Sequence, residues 1–264
     1  MAEAWASDEA WASDEDSATA WEWVMAEAWA SDEAWASDED VEEDGRKDNQ
    51  PYNAHNTIVR FFFIPFFPSD YHRGDLMSRK ARMFNRKASS SKSRASEVLN
   101  ALKIEEGQKV ADIGAGGGYF TLKFAEIVGP TGRVFAVDTD SELSDFVRDG
   151  AQERGLSNVE TVISDGTLDL PRGGLDLIFM RNVTHHIQNR PEYFGNLKQF
   201  LDRNGRVAII EYKNARRMSF RGVFGHFVSK DTLLDEMKQA GFTLKEDLDF
   251  LPEQSFTIYS PSAQ

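Results

Sequence analysis

KVADIGAGGGYFTLKF, residues 109–124, decides how the chain is read. Val110, Ala111 and Ile113 make a short apolar strand with Asp112 inside it. Gly114, Gly116 and Gly118 then leave room for backbone to approach a ligand closely. Phe120, Phe124 and Val128 recur at helical spacing until Gly129 and Pro130 stop the helix. Strand, glycine turn and helix together form the local geometry of a nucleotide-type site.

Outward from this stretch, strands and helices alternate. Strands are expected at 109–113, 133–138, 159–164, 175–180 and 206–212, with helices at about 119–128, 142–154, 191–203 and 231–240. Near-continuous apolar strands between amphipathic helices imply an α/β fold, a mostly parallel doubly wound sheet covered on both faces. Residues 243–250 and 254–259 are close enough in sequence to pair as an antiparallel hairpin at one edge. Seven strands result, one of them reversed. The compact domain is expected to begin near Ser96, a helix cap preceding Val98, Leu99 and Leu102, and to run over 96–264.

The preceding segments differ in character. MAEAWASDEAWASDED occurs at 1–16 and again at 25–40, and all six tryptophans lie in this region. A unit of Ala, Ser, Asp and Glu cannot bury a face, so residues 1–44 are expected to be a disordered acidic tail rather than a solenoid. The aromatic run 61–67 belongs to a transition without periodicity, broken by Pro65. Residues 45–95 are read as a linker whose last part, 77–94, is a basic, serine-rich, solvated approach; Phe84 is its one aromatic residue, which argues against nucleic acid.

Composition narrows the chemistry. The 264 residues include no cysteine, which excludes disulfides, thiolate zinc sites and a cysteine nucleophile. The net charge of −14 is confined to the tail: residues 1–44 hold 16 of the 44 acids and no Lys or Arg, so the rest carries 28 acids against 30 bases. No run approaches the roughly 18 apolar residues of a membrane helix. With no basic and apolar leader at the start, a cytoplasmic protein with no membrane partner is expected.

Spacing separates two cofactor classes. A dinucleotide fingerprint wants a third glycine where this chain has Tyr119; here the pattern is D-x-G-x-G-x-G from Asp112 to Gly118. Over about 96–259 the chain resembles the class I S-adenosylmethionine-dependent methyltransferases, in VADIGAGGGYF (110–120), VFAVDTD (134–140), SDG (164–166) and DLIFMRNVTHHI (176–187). The nearest general resemblance is to small-molecule enzymes related to quinone biosynthesis.

The resemblance implies S-adenosyl-L-methionine as cofactor and assigns roles by position. Gly114, Gly116 and Gly118 wrap its methionine part, with Asp112 offered to the ammonium. Asp138 accepts from the ribose hydroxyls, Thr139 edges the adenine, and Asp165 holds the adenine amino group with Gly166 close by. Arg181, Asn182, His185 and His186 follow the fourth strand, over the transferable methyl group, with one of the histidines a candidate base. The plain alternatives are helix caps and loop solvation for the acids, and a cap and a core residue for the histidines. Arg216, Arg217, Arg221 and His226 follow the fifth strand, where they could cover an anionic substrate. RNVTHHI is not the N/D-P-P-Y/F sequence of the family's adenine and glutamine amino-group enzymes, and no acidic metal cluster is evident.

The expectation is therefore a transferase that methylates a small molecule or metabolite, with no metal. The competing readings are an NAD(P)-dependent oxidoreductase and a non-catalytic S-adenosylmethionine-binding regulatory or interaction protein that uses the tail. Methyl acceptor and oligomeric state are not encoded in these patterns.

Overall fold

A computed structural model describes residues 73–213 and 228–262. The acidic repeat, the aromatic run 61–67 and the basic loop with Arg216, Arg217, Arg221 and His226 lie outside the described residues. From Leu76 onward the described chain forms one compact unit.

Helix α1 (Arg73–Ser89) opens this part, followed by a 3₁₀ turn (Ser91–Ser93) and helix α2 (Ala95–Leu102). Then come β1 (Lys109–Ile113), α3 (Tyr119–Val128), β2 (Arg133–Asp138), α4 (Ser141–Glu153), β3 (Val159–Ile163) and β4 (Leu175–Arg181). After a 3₁₀ turn (Thr184–His186) follow α5 (Arg190–Leu197), β5 (Leu201–Tyr212), α6 (Lys230–Gln239), β6 (Phe242–Leu248) and β7 (Gln254–Pro261). The seven strands are ordered β3-β2-β1-β4-β5-β7-β6. The pairs among β1 to β5 are parallel, and β7 runs antiparallel to both β5 and β6. The expected fold class holds, with the hairpin at the edge. Its reversed strand is β7, inserted one place inside the edge, and β6 is the terminal strand.

Alternation along the strands builds two apolar layers. Ala111, Ile113, Ile178, Met180, Val207 and Ile209 face one way, packing with Phe194 and Leu197 of α5 and Leu233 and Met237 of α6. Val110, Leu177, Phe179, Ala208 and Ile210 face the other, against Val98 and Leu102 of α2 and Phe120, Phe124 and Val128 of α3. Phe124 and Phe179 meet edge to face, with centroids 5.2 Å apart, a geometry that adds about 1 kcal/mol to their burial. Among the described residues no helix is long and apolar enough to cross a membrane.

Two expectations are corrected. The helix expected over 191–203 ends at Leu197, and β5 starts at Leu201, which pairs with Leu175 across a register shift. Gly205 therefore lies inside a strand, where a methyl group would press on the Leu175 carbonyl oxygen. The basic stretch 77–94 is not a solvated approach either. Its larger part is α1, whose Ala81, Met83 and Ala88 are buried while Arg79, Arg82 and Arg86 face solvent. A helix so rich in Arg and Lys folds here because packing on the sheet domain outweighs its low apolar content.

Candidate active site

The first strand delivers its glycine turn to the C-terminal edge of the sheet. Gly114 and Ala115 both donate N–H to the Val137 carbonyl, at 2.8 and 3.1 Å, so the turn is tied to β2 as it leaves β1. Gly114, Gly116 and Gly118 all take positive φ. A side chain at Gly114 would strike Val183 of the segment after β4, so this glycine lets two strand exits approach each other. The tightest glycine is Gly117, between the expected ones. A methyl group there would overlap the Ala81 carbonyl oxygen and the Asn85 side chain of α1. Helix α1 thus lies directly on the loop. Asn85 Oδ1 also accepts the Tyr119 N–H at 3.1 Å, satisfying one orphan donor at the start of α3.

Asp138, the last residue of β2, holds this turn. Its Oδ2 accepts from Gly116 N at 2.8 Å and its Oδ1 from Asp140 N at 3.1 Å. Asp140 caps α4 through Glu142 N and Leu143 N and pairs with Lys80 of α1 at 2.9 Å. Burial first, and then the neighbouring Asp140 charge, push the Asp138 pKa upward, with backbone N–H groups opposing. A carboxylate has about four acceptor sites, so Asp138 keeps capacity for a diol.

Asp112 lies on the α3 face of β1 and is 3% exposed. Thr121 Oγ1 donates to its Oδ2 at 2.6 Å. Burial lifts its pKa to about 6; the Thr121 hydrogen bond opposes, and Asp138 adds to the rise. Arg181 ends β4. Its guanidinium lies 5.5 Å from the Phe120 ring centroid and its Nη2 donates to Ser93 Oγ at 3.4 Å. Among the described residues its buried Nε has no hydrogen-bond partner, and desolvation lowers its pKa against the pull of Tyr212, Asp112 and Glu211.

Past Arg181 the chain turns at Asn182, whose φ is 53°. Asn182 N donates to Ile210 O at 2.9 Å, and Gln254 Nε2 donates to its Oδ1 at 2.6 Å. This strained but doubly anchored residue aims Thr184, His185 and His186 across the end of β5. There stands Glu211, fully buried, a residue that the sequence reading passed over. Its Oε2 accepts from Thr184 Oγ1 at 2.6 Å and lies 3.3 Å from His185 Nδ1. Its Oε1 accepts from Tyr212 N at 3.1 Å. The His185 and His186 ring centroids are 4.1 Å apart. A charged residue closing the apolar run VAII was the available signal, since an acid there must be paired or solvated.

The structure thus gathers Asp112, the glycine turn, Asp138, Arg181 and the two histidines at one sheet edge. Asp165 and Gly166 follow Ser164, whose N–H donates to the Asp138 carbonyl at 2.9 Å. Both are exposed beyond β3, and Asp165 spends its carboxylate on Thr167, accepting from N at 3.1 Å and Oγ1 at 2.7 Å, which lowers its pKa. Thr139 is exposed beside Asp138.

A family model described as a methyltransferase domain matches residues 104–250. Protein-L-isoaspartate O-methyltransferase of Methanococcoides burtonii is 34% identical over 113 residues, 42% of this chain and 53% of that protein. A ubiquinone/menaquinone biosynthesis C-methyltransferase of Ectopseudomonas mendocina is 32% identical over 115 residues, 41% of this chain and 43% of that one. The chain spans about half of each of these curated relatives. Among solved structures, a SAM-dependent methyltransferase from Aquifex aeolicus aligns with a TM-score of 0.61 at 22% identity, over 69% of this chain and 97% of that one. This likeness establishes the shared fold.

Proposed function

The chain belongs to the methyltransferase domain family, whose methyl donor is S-adenosylmethionine, and on that premise we propose that it methylates a small-molecule acceptor at the C-terminal edge of its sheet. The observation that carries the reading is the convergence there of Asp112, the Gly116-bound Asp138 and the His185–Glu211 pair. S-adenosylmethionine supplies a methyl group made electrophilic by its sulfonium. In this reading Asp138 takes the ribose hydroxyls with its remaining acceptor sites, and Gly114, Gly116 and Gly118 face the methionine part. Asp112 and Arg181 set the charge around the ammonium and carboxylate, and Thr139, Asp165 and Gly166 border the adenine. The family match sets the nicotinamide alternative aside.

The named relatives act on two kinds of acceptor, and chemistry favours one here. A carboxylate, the group esterified in an isoaspartyl residue, arrives without a proton and needs no base. A carbon, hydroxyl or amine acceptor must lose a proton. A buried histidine against a buried carboxylate suits the second kind, and its depth suits an acceptor smaller than a polypeptide. The test is incubation with methyl-labelled S-adenosylmethionine in two arms, a metabolite extract and an isoaspartyl peptide. Label in a small molecule is expected; label in the peptide alone overturns the assignment of acceptor class. Calorimetry with S-adenosylhomocysteine and with NADH tests the donor, and a response to NADH alone refutes it.

A further inference from the structure

Glu211 is the one fully buried carboxylate among the described residues, at 0% exposure. Removing a carboxylate from water costs several kcal/mol unless donors surround it, and its donors come from one place. Besides the Tyr212 N–H, both partners belong to the turn Thr184–His186 after β4. The carboxylate therefore reads out the position of that turn and of the His185 ring, whose side chain is 5% exposed. A carboxylate that carries no proton only accepts, and a hydrogen bond to it across this 3.3 Å contact requires the hydrogen on His185 Nδ1. In the neutral ring the lone pair then lies on Nε2.

We propose that Glu211 is a positioning residue for proton transfer: it holds the His185 proton on Nδ1 and so keeps Nε2 as the atom that receives a proton from the methyl acceptor. The inference rests on the methyltransferase reading of this edge. The bond broken is the acceptor's bond to hydrogen, whose electron pair stays on the acceptor atom, and the bond formed is Nε2–H. The resulting imidazolium keeps its Nδ1–H against Glu211, which stabilises the new positive charge where solvent is scarce. Release of the Nε2 proton to solvent restores the ring.

Glu211→Gln separates this role from a structural one. The Tyr212 N–H requires an oxygen at the Oε1 position. The amide nitrogen of the variant then falls opposite His185 Nδ1, donates to it and drives the ring proton to Nε2. A carboxylate that merely pins the loop would leave the tautomer as it was. The experiment is nitrogen NMR of the full chain labelled with ¹⁵N-histidine, at a pH where the ring is neutral, with His185→Gln identifying the signals. The wild type is expected to show His185 protonated at Nδ1 and bare at Nε2. In Glu211→Gln the Nε2 signal should move upfield into the range of a protonated ring nitrogen. An Nε2–H tautomer in the wild type overturns the proposal even if the variant does not fold, and an unchanged tautomer in a folded variant overturns it as well. Loss of S-adenosylhomocysteine binding in the wild type would instead sink the reading on which the proposal rests, and calorimetry reports that separately.

Discussion

Asp112 is held at an energetic cost, and the cost has a direction. Burial raises its pKa from 3.8 to about 6 against the pull of Thr121. Between those values the native chain binds more protons than the unfolded one, so stability falls as pH rises through that window and stays lower above it. A rise of this size corresponds to about 3 kcal/mol. Asp112→Asn removes the charge and keeps an acceptor for the Thr121 hydroxyl. Denaturant unfolding at about pH 4 and about pH 7 should show the variant gaining up to about 3 kcal/mol on the wild type at the higher pH, and little at the lower. Its affinity for S-adenosylhomocysteine should fall if, as proposed, the lost charge is the one offered to the ammonium. A variant less stable than wild type at neutral pH would mean that Asp112 is a stabilising structural residue. Asp138 differs in kind, since its oxygens already brace the turn through Gly116 and Asp140. Asp138→Ala removes both this brace and the proposed diol acceptor. Calorimetry should record a loss of about tenfold or more in S-adenosylhomocysteine affinity, and an unchanged affinity would place the cofactor elsewhere.

Helix α1 and the glycine turn form one unit, packed so closely that the residue between two expected glycines is itself obliged to be glycine. In Gly117→Ala the added methyl meets the Ala81 backbone oxygen, which no side-chain rotation relieves. Urea unfolding should register a loss of about 1–3 kcal/mol, whereas a loss within experimental error would show that α1 can lift off freely. This contact also marks the limit of what the sequence revealed. β1, the turn and α3 were legible because apolar period, glycine spacing and the Gly129-Pro130 stop all agree. α1 was not, since its buried face consists of small or isolated residues, Ala81, Met83 and Ala88, set among arginines and lysines. The start of β5 was hidden for a different reason. Leu201 joins the strand through a register shift opposite Leu175, and Asp202, Arg203 and Asn204 are exposed, so no alternation announces it. In the site, Asp112 and Asp138 could be found from motif position. Glu211 could be recognised as important only once the chain after β4 was seen to fold back onto it.

For the whole molecule, the question is how much of the chain the candidate site needs. Both apolar layers, the glycine turn and the acids around it are built from residues between Ala81 and Tyr259. Residues 1–44 contribute 16 acids and no Lys or Arg, so their deletion would change the formal net charge from −14 to +2. Charges more than about 8 Å from a site are screened at physiological salt, while a ligand proposed at Asp138 depends on contacts within hydrogen-bond reach. The truncated chain beginning at Gly45 should therefore melt at the same temperature and bind S-adenosylhomocysteine with the same affinity as the full chain at physiological ionic strength. Its isoelectric point should rise well above the full-length value of about 4.8. A lower melting temperature would mean that the repeat stabilises the fold. Weaker binding at an unchanged melting temperature would mean that it takes part in the site, and either result would refute the assignment of the methyltransferase machinery to the residues after the tail.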